Sequence, residues 1–150
     1  MASQIFVDIK VSPFVYYFFV SSNNSNFIRL KNNDHLWKII WPKLICPPVG
    51  NKPIDSKYVL KVELFYLRSK DIKHANCLSD KSQNIINDYL LSQIKRIFHN
   101  YVLAFTSAGG TQQNGIEDFC FIYNIPLEEI KYDTLKKSWN RSYEKKCLHL

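Results

Sequence analysis

The chain has 150 residues, 46% hydrophobic and 15% aromatic, with 20 Lys and Arg against 13 Asp and Glu for a net charge of +7. That apolar content supports a packed core, which excludes a disordered chain, and the length admits one domain or two small subdomains. The basic balance favours an anionic partner: nucleic acid first, an acidic protein or membrane surface second.

Cys46, Cys77, Cys120 and Cys147 are too widely spaced for the disulfide framework of a small secreted domain. No charged start and long apolar run follows Met1. The apolar run Phe14 to Val20 falls far short of the roughly 20 residues a membrane span needs. The expectation is a cytoplasmic protein with reduced thiols and no membrane partner.

Along the chain, Ile5, Val7, Ile9 and Val11 alternate with Phe6, Asp8 and Lys10, the period of a half-buried strand. Ser12-Pro13 then offers a cap and a proline at the first helical position, predicting a short, nearly all-apolar helix over Phe14 to Val20. Its apolar side either fills the underside of a sheet or forms a dimer surface. Ser21 to Asn26 reads as a polar loop and Phe27 to Leu30 as a brief strand. Asn33 or Asp34 can cap a helix carrying Leu36, Trp37, Ile39, Ile40 and Trp41, which Pro42 ends or kinks. Cys46 to Asp55 reads as a loop. Tyr58 to Leu67 alternates again and is the natural partner of the first strand; an open edge of that sheet would let two copies pair.

From Ser79 the period lengthens to that of a helix, which Ser79 or Asp80 can cap. Ile86, Leu90, Ile94 (or Gln93), Ile97, Tyr101 and Phe105 mark a stripe about 25 residues long, stopped by Gly109-Gly110. Thr111 to Gly115 reads as a polar hinge. The glycines at 110 and 115 are spaced like a phosphate-binding loop, but Ile116-Glu117 stands where Lys and Ser or Thr would be needed.

The last third divides by charge. Ile116 to Ile130 holds Glu117, Asp118, Glu128 and Glu129 and no base, whereas Lys131 to Lys146 holds six bases and two acids. Ile116, Phe119, Cys120 and Tyr123 share one helical face; Asn124-Ile125-Pro126 ends that helix. In the next helix Tyr132, Leu135, Trp139 and Tyr143 form the buried stripe, leaving Lys136, Lys137, Asn140 and Arg141 outward. Lys and Arg neutralise phosphate, Arg pairs bidentately with guanine and Asn with adenine. The nucleic-acid-binding set expected from these features is Lys131, Thr134, Lys136, Lys137, Asn140, Arg141, Lys145 and Lys146.

The run from Phe119 to Ile130, followed by Tyr132 to Arg141, resembles the helix-turn-helix of small DNA-binding regulators and recombination proteins. The resemblance implies that the second helix reads the major groove, with Thr134, Lys136, Lys137, Asn140 and Arg141 facing it. The turn is longer than the tightest version because Pro126 to Ile130 is inserted. The whole chain also resembles small uncharacterised proteins of phages and mobile elements of gut Bacteroidetes. That likeness rests on Val7 to Ser12, Val59 to Leu64, Leu78-Ser79 and Lys131 to Lys136.

Other chemistries find little support. His74-x-x-Cys77 and Cys147-x-His149 do not match zinc spacings, and no nucleophile, base and orienting group form a local signature. The expectation is therefore a non-enzymatic α+β protein without cofactor or metal. Residues 1–77 form a small sheet with short helices. Residues 78–150 form a long helix and the helix-turn-helix-like segment 116–146. The expected partner is duplex DNA, with a homodimer and an acidic protein as further partners; the alternative role is a protein–protein adaptor.

Overall fold

The computed structural model describes residues 5–31, 33–50, 54–64 and 71–148, with side chains through Glu144. The element order is β1 (Phe6–Lys10), α1 (Pro13–Asn23), β2 (Phe27–Ile28), α2 (His35–Ile40), a 3-10 turn (Trp41–Lys43), β3 (Val59–Glu63), α3 (Asp80–Ser107), α4 (Gln112–Ile122) and α5 (Tyr132–Leu148). This is the expected α+β architecture. β3 lies at the centre of a three-stranded sheet, antiparallel to β1 and parallel to β2. Val7, Ile9, Leu60 and Val62 bury one face, as their period-two spacing requires. Past Glu63, Leu64 N–H still donates to the Ile5 carbonyl at 2.8 Å, and the rest of the expected strand, 65–67, lies outside the described residues.

Helices extend into two segments expected to be loops: residues 21–23 belong to α1, with 24–26 left as turn, and residues 112–115 belong to α4. Ser22 Oγ and Asn23 Nδ2 donate to the carbonyls of Phe18 and Phe19, each at 2.8 Å. These back-bonds carry α1 past Val20 to Asn24, whose left-handed backbone (φ 53°) ends it. Thr111 is a helix cap rather than a hinge residue: its Oγ1 accepts the Asn114 N–H at 3.1 Å, and α4 begins at Gln112. Gly110 and Gly115 have a packing reason. A Cβ at Gly110 would run into the Phe105 ring, and one at Gly115 would come within 3.2 Å of it.

α3 is capped by Ser79, whose Oγ accepts the Ser82 N–H. Its buried residues are Gln83, Ile86, Leu90, Ile94, Phe98 and Val102. The expected stripe was right to Ile94 and wrong at Ile97, which is 44% exposed. From Ile86 onward the buried positions recur strictly every four residues. At 3.6 residues per turn such a row precesses by about 40° per step. The buried face therefore winds round the helix as its partners change from β1 to α1, α4 and α5.

The core is continuous across residue 77. Phe14 and Phe18 of α1, Phe98 of α3 and Phe119 and Tyr123 of α4 form one aromatic cluster. Its ring centroids lie 4.5–6.3 Å apart. Trp37 and Trp139 are buried, as core residues rather than exposed stacking platforms. Gln83, the one buried polar residue among those described, joins sheet to helix. Its Oε1 accepts the Lys10 N–H at 2.9 Å and its Nε2 donates to the Leu78 carbonyl at 3.0 Å.

Candidate nucleic-acid interface

Helix α5 is fixed on its inner side by Leu135 and Trp139, both buried; Trp139 stacks on the half-exposed Tyr143 with centroids 5.1 Å apart. One flank of α5 faces α3 across a cleft of about 950 Å³. Phe14, Ile130 and Leu135, all buried, lie at its base. Cations line both walls: Lys95 and Arg96 from α3, Lys131, Lys137 and Arg141 from the α5 side. His99 and Ser138 cross between the helices, with Nε2 and Oγ 3.0 Å apart.

The cations of this cleft are not spent in ion pairs among the described residues. Lys95, Lys131, Lys137 and Arg141 are exposed, and none lies within ion-pair distance of a carboxylate among the described residues. Arg96 is also exposed and donates through Nη2 to Gln93 Oε1 at 2.7 Å, a neutral partner. The cleft's one carboxylate is Glu129. Its Oε1 accepts from Lys57 Nζ at 2.8 Å, and its Oε2 from the hydroxyls of Tyr17 and Tyr58, each at 2.5 Å. Hydrogen bonding by Lys57, then by the two tyrosines, holds the Glu129 carboxyl down to about 2, so it is ionised and already occupied. The same bond pushes the Tyr17 hydroxyl up to about 12.

The residues expected from sequence divide among different settings. Lys131, Thr134, Lys137 and Arg141 come together on the cleft wall. Lys136 is exposed and does not line the cleft. Asn140 is half-buried, and its Oδ1 accepts from Gln112 Nε2 at 3.1 Å, tying α5 to the first turn of α4. The side chains of Lys145 and Lys146 lie outside those described. The outermost side of α5 is mixed rather than basic: exposed Asp133 and Glu144, eleven residues apart, point in nearly the same direction beside Lys137.

Sequence reasoning missed Lys95 and Arg96. They sit in an ordinary amphipathic helix, and only the packing of α5 against α3 makes them part of a basic surface. Of the four acids of the preceding segment, three lie away from the cleft and Glu129 lines it. Glu117 and Glu128 line a depression beside Phe121 and Leu127 that shares no residue with the cleft. Asp118 accepts a hydrogen bond from the Tyr101 hydroxyl, which raises that hydroxyl's pKa.

Metal and thiol chemistry do not converge here. No group of three or more His, Cys, Asp or Glu among the described residues is placed to hold a metal ion. His74 contacts Asp71 instead, through Nδ1 at 2.6 Å. Burial pushes the Cys120 thiol up to about 11, which keeps it protonated. No helix among the described residues is long and apolar enough to cross a membrane. The chain matches no protein-family model, no curated protein and no solved structure at a significant level.

Proposed function

We propose that the chain is a non-enzymatic, cytoplasmic DNA-binding protein that holds duplex DNA along α5, with phosphates of one strand over the α3–α5 cleft. The observation that carries this reading is the convergence of five cations, from α3, α5 and the turn just before α5, on one surface whose single carboxylate is occupied. Phosphate neutralisation by such a set supplies sequence-independent affinity and a steep salt dependence. In the helix-turn-helix mode, Thr134, Lys137 and Arg141 are the members of α5 that approach the groove, and α3 adds backbone contacts beside them. A regulator or accessory factor of a phage or mobile element is the role that the sequence likeness suggests for such a protein.

Fluorescence anisotropy with a labelled random duplex at rising salt tests the proposal. Log K falling linearly with log salt counts the neutralised phosphates. No binding by folded protein at low salt sinks it and makes an acidic protein the partner of the cleft, the adaptor role.

A further inference from the structure

The second feature of the molecule with unused binding capacity is the outer edge of the sheet. β1 pairs with β3 in the register Phe6 with Glu63 through Lys10 with Val59. Leu64 N–H donates to the Ile5 carbonyl at 2.8 Å and Val11 N–H to the Tyr58 carbonyl at 3.0 Å. Odd-numbered residues of β1 therefore face β3, and the N–H and C=O groups of Phe6 and Asp8 face outward. The next outward N–H groups are taken by side chains of α3: Lys10 by Gln83 at 2.9 Å and Ser12 by Asn87 at 2.8 Å. The helix thus substitutes for a neighbouring strand at one end of the edge and leaves the other end open among the described residues.

That open end lies in a groove of about 740 Å³, whose apolar lining comes from Ile45, Pro47, Pro48 and Leu78; Ile45 and Cys77 pair through two backbone hydrogen bonds, which joins these segments beside the edge. We propose that this groove is a docking slot for one extended peptide segment bearing Lys or Arg at alternate positions, which adds to β1 as a fourth strand. Backbone groups at Phe6 and Asp8 supply the ladder, and the apolar wall takes the side chains that alternate with the bases. The charge of the groove selects the bases. Asp8, Asp55 and Asp80 line it against one ammonium, Lys10, and Asp8 is already paired with Lys61 at 3.0 Å, leaving Asp55 and Asp80 for the ligand.

A second copy of the chain is the poorer occupant on charge. Edge-to-edge pairing of two β1 strands centred on Asp8 would set carboxylate against carboxylate. A basic strand meets no such repulsion.

The probe is a fluorescein-labelled peptide of about seven residues, alternating Val and Lys, a common strand length. Amide hydrogen exchange of the full chain is followed by NMR with and without it. The expected result is that exchange at Phe6 and Asp8 slows by about tenfold or more on adding peptide. The same peptide N-methylated at alternate residues should give no protection. Asp55→Asn and Asp80→Asn should each weaken binding by about twofold to fivefold, the worth of an exposed pair. Three results overturn the proposal: these amides already protected in dilute free protein, protection that rises with protein concentration alone, or peptide that at millimolar concentration leaves them exchanging freely. The second would assign the edge to a second copy.

Discussion

Glu129 Oε1 accepts a hydrogen bond from Lys57 Nζ at 2.8 Å across 72 residues of sequence. The contact ties the lead-in of β3 to the turn that aims α5, and Tyr17 of α1 joins it through the other oxygen. The side of the molecule that carries the sheet therefore holds the turn from which the cationic wall of the cleft starts.

This tie makes acid stability readable. The folded-state pKa of Glu129 is lowered to about 2 from an ordinary 4.5. Its contribution is thus fully present above pH 4.5 and is lost as pH falls toward 2. Tyr17 runs the opposite way: its pKa is raised from 10.0 to about 12, so its contribution is present below pH 10 and lost as pH climbs toward 12. Thermal unfolding of wild type and Glu129→Gln across pH 2 to 7 checks the acid limb. The variant should lack the Glu129 share of the loss; identical pH profiles would mean that the tie contributes nothing measurable.

Gln83 offers a sharper energetic test. Gln83→Leu keeps the bulk but strands the Lys10 N–H and leaves the Leu78 carbonyl only the weak Cys77 Sγ donor at 3.8 Å. Leaving one such polar group unpaired costs about 1–3 kcal/mol. Urea unfolding should show a loss in that range with an unchanged m-value. A loss under about half a kcal/mol would show water reaching both groups.

Gly110 and Gly115 are both set by the Phe105 ring. Gly110→Ala should destabilise by about 1–3 kcal/mol through overpacking. Gly115→Ala meets only the ring, at 3.2 Å or more, and should cost less. Replacing Phe105 with Leu in the Gly110→Ala background should recover part of the loss. A double variant that shows no recovery would place the strain in the backbone, since the Phe105 carbonyl lies 3.0 Å from the same Cβ position.

The cleft itself is tested by charge. Lys95→Gln with Arg96→Gln should weaken binding to all duplexes alike and lower the salt slope by about two. Arg141→Ala should cost about 1–3 kcal/mol and relax preference at one base pair if that side chain reads a base. Asn140→Ala is the contrast: it breaks the bond to Gln112 and should lower stability slightly without changing sequence preference. Competition anisotropy with duplex variants separates these outcomes. If Lys95 and Arg96 prove silent, the DNA lies on the far flank of α5, along Lys136.

Much of the fold was legible because its signals are local. Alternation at Val7, Ile9, Leu60 and Val62 marks strands, Pro13 and Ser79 mark helix starts, and Asn124 marks a stop. Signals that depend on a partner stayed hidden. Ile97 sits at a good helical interval from Ile94, yet the buried face had already turned away from it. Ser22 and Asn23 read as loop residues until their side chains are seen closing bonds one turn back. Of the candidate site, Lys131, Thr134, Lys137 and Arg141 were recognisable from the charge of their own helix. Lys95 and Arg96 were not, because nothing in α3 says which helix will lie beside it.

At 28 residues, α3 is a rod about 42 Å long. Its first turns hold β1 through Gln83 and the cap of α1 through Asn87, and its later turns hold α1 and α4 through Phe98 and α5 through His99. A cut between Cys77 and Leu78 would strip Val7 and Ile9 of their cover and leave Ile86 and Leu90 facing water. Neither fragment would then be a unit that an expression host could keep in solution, and the two should recover only when they are made together.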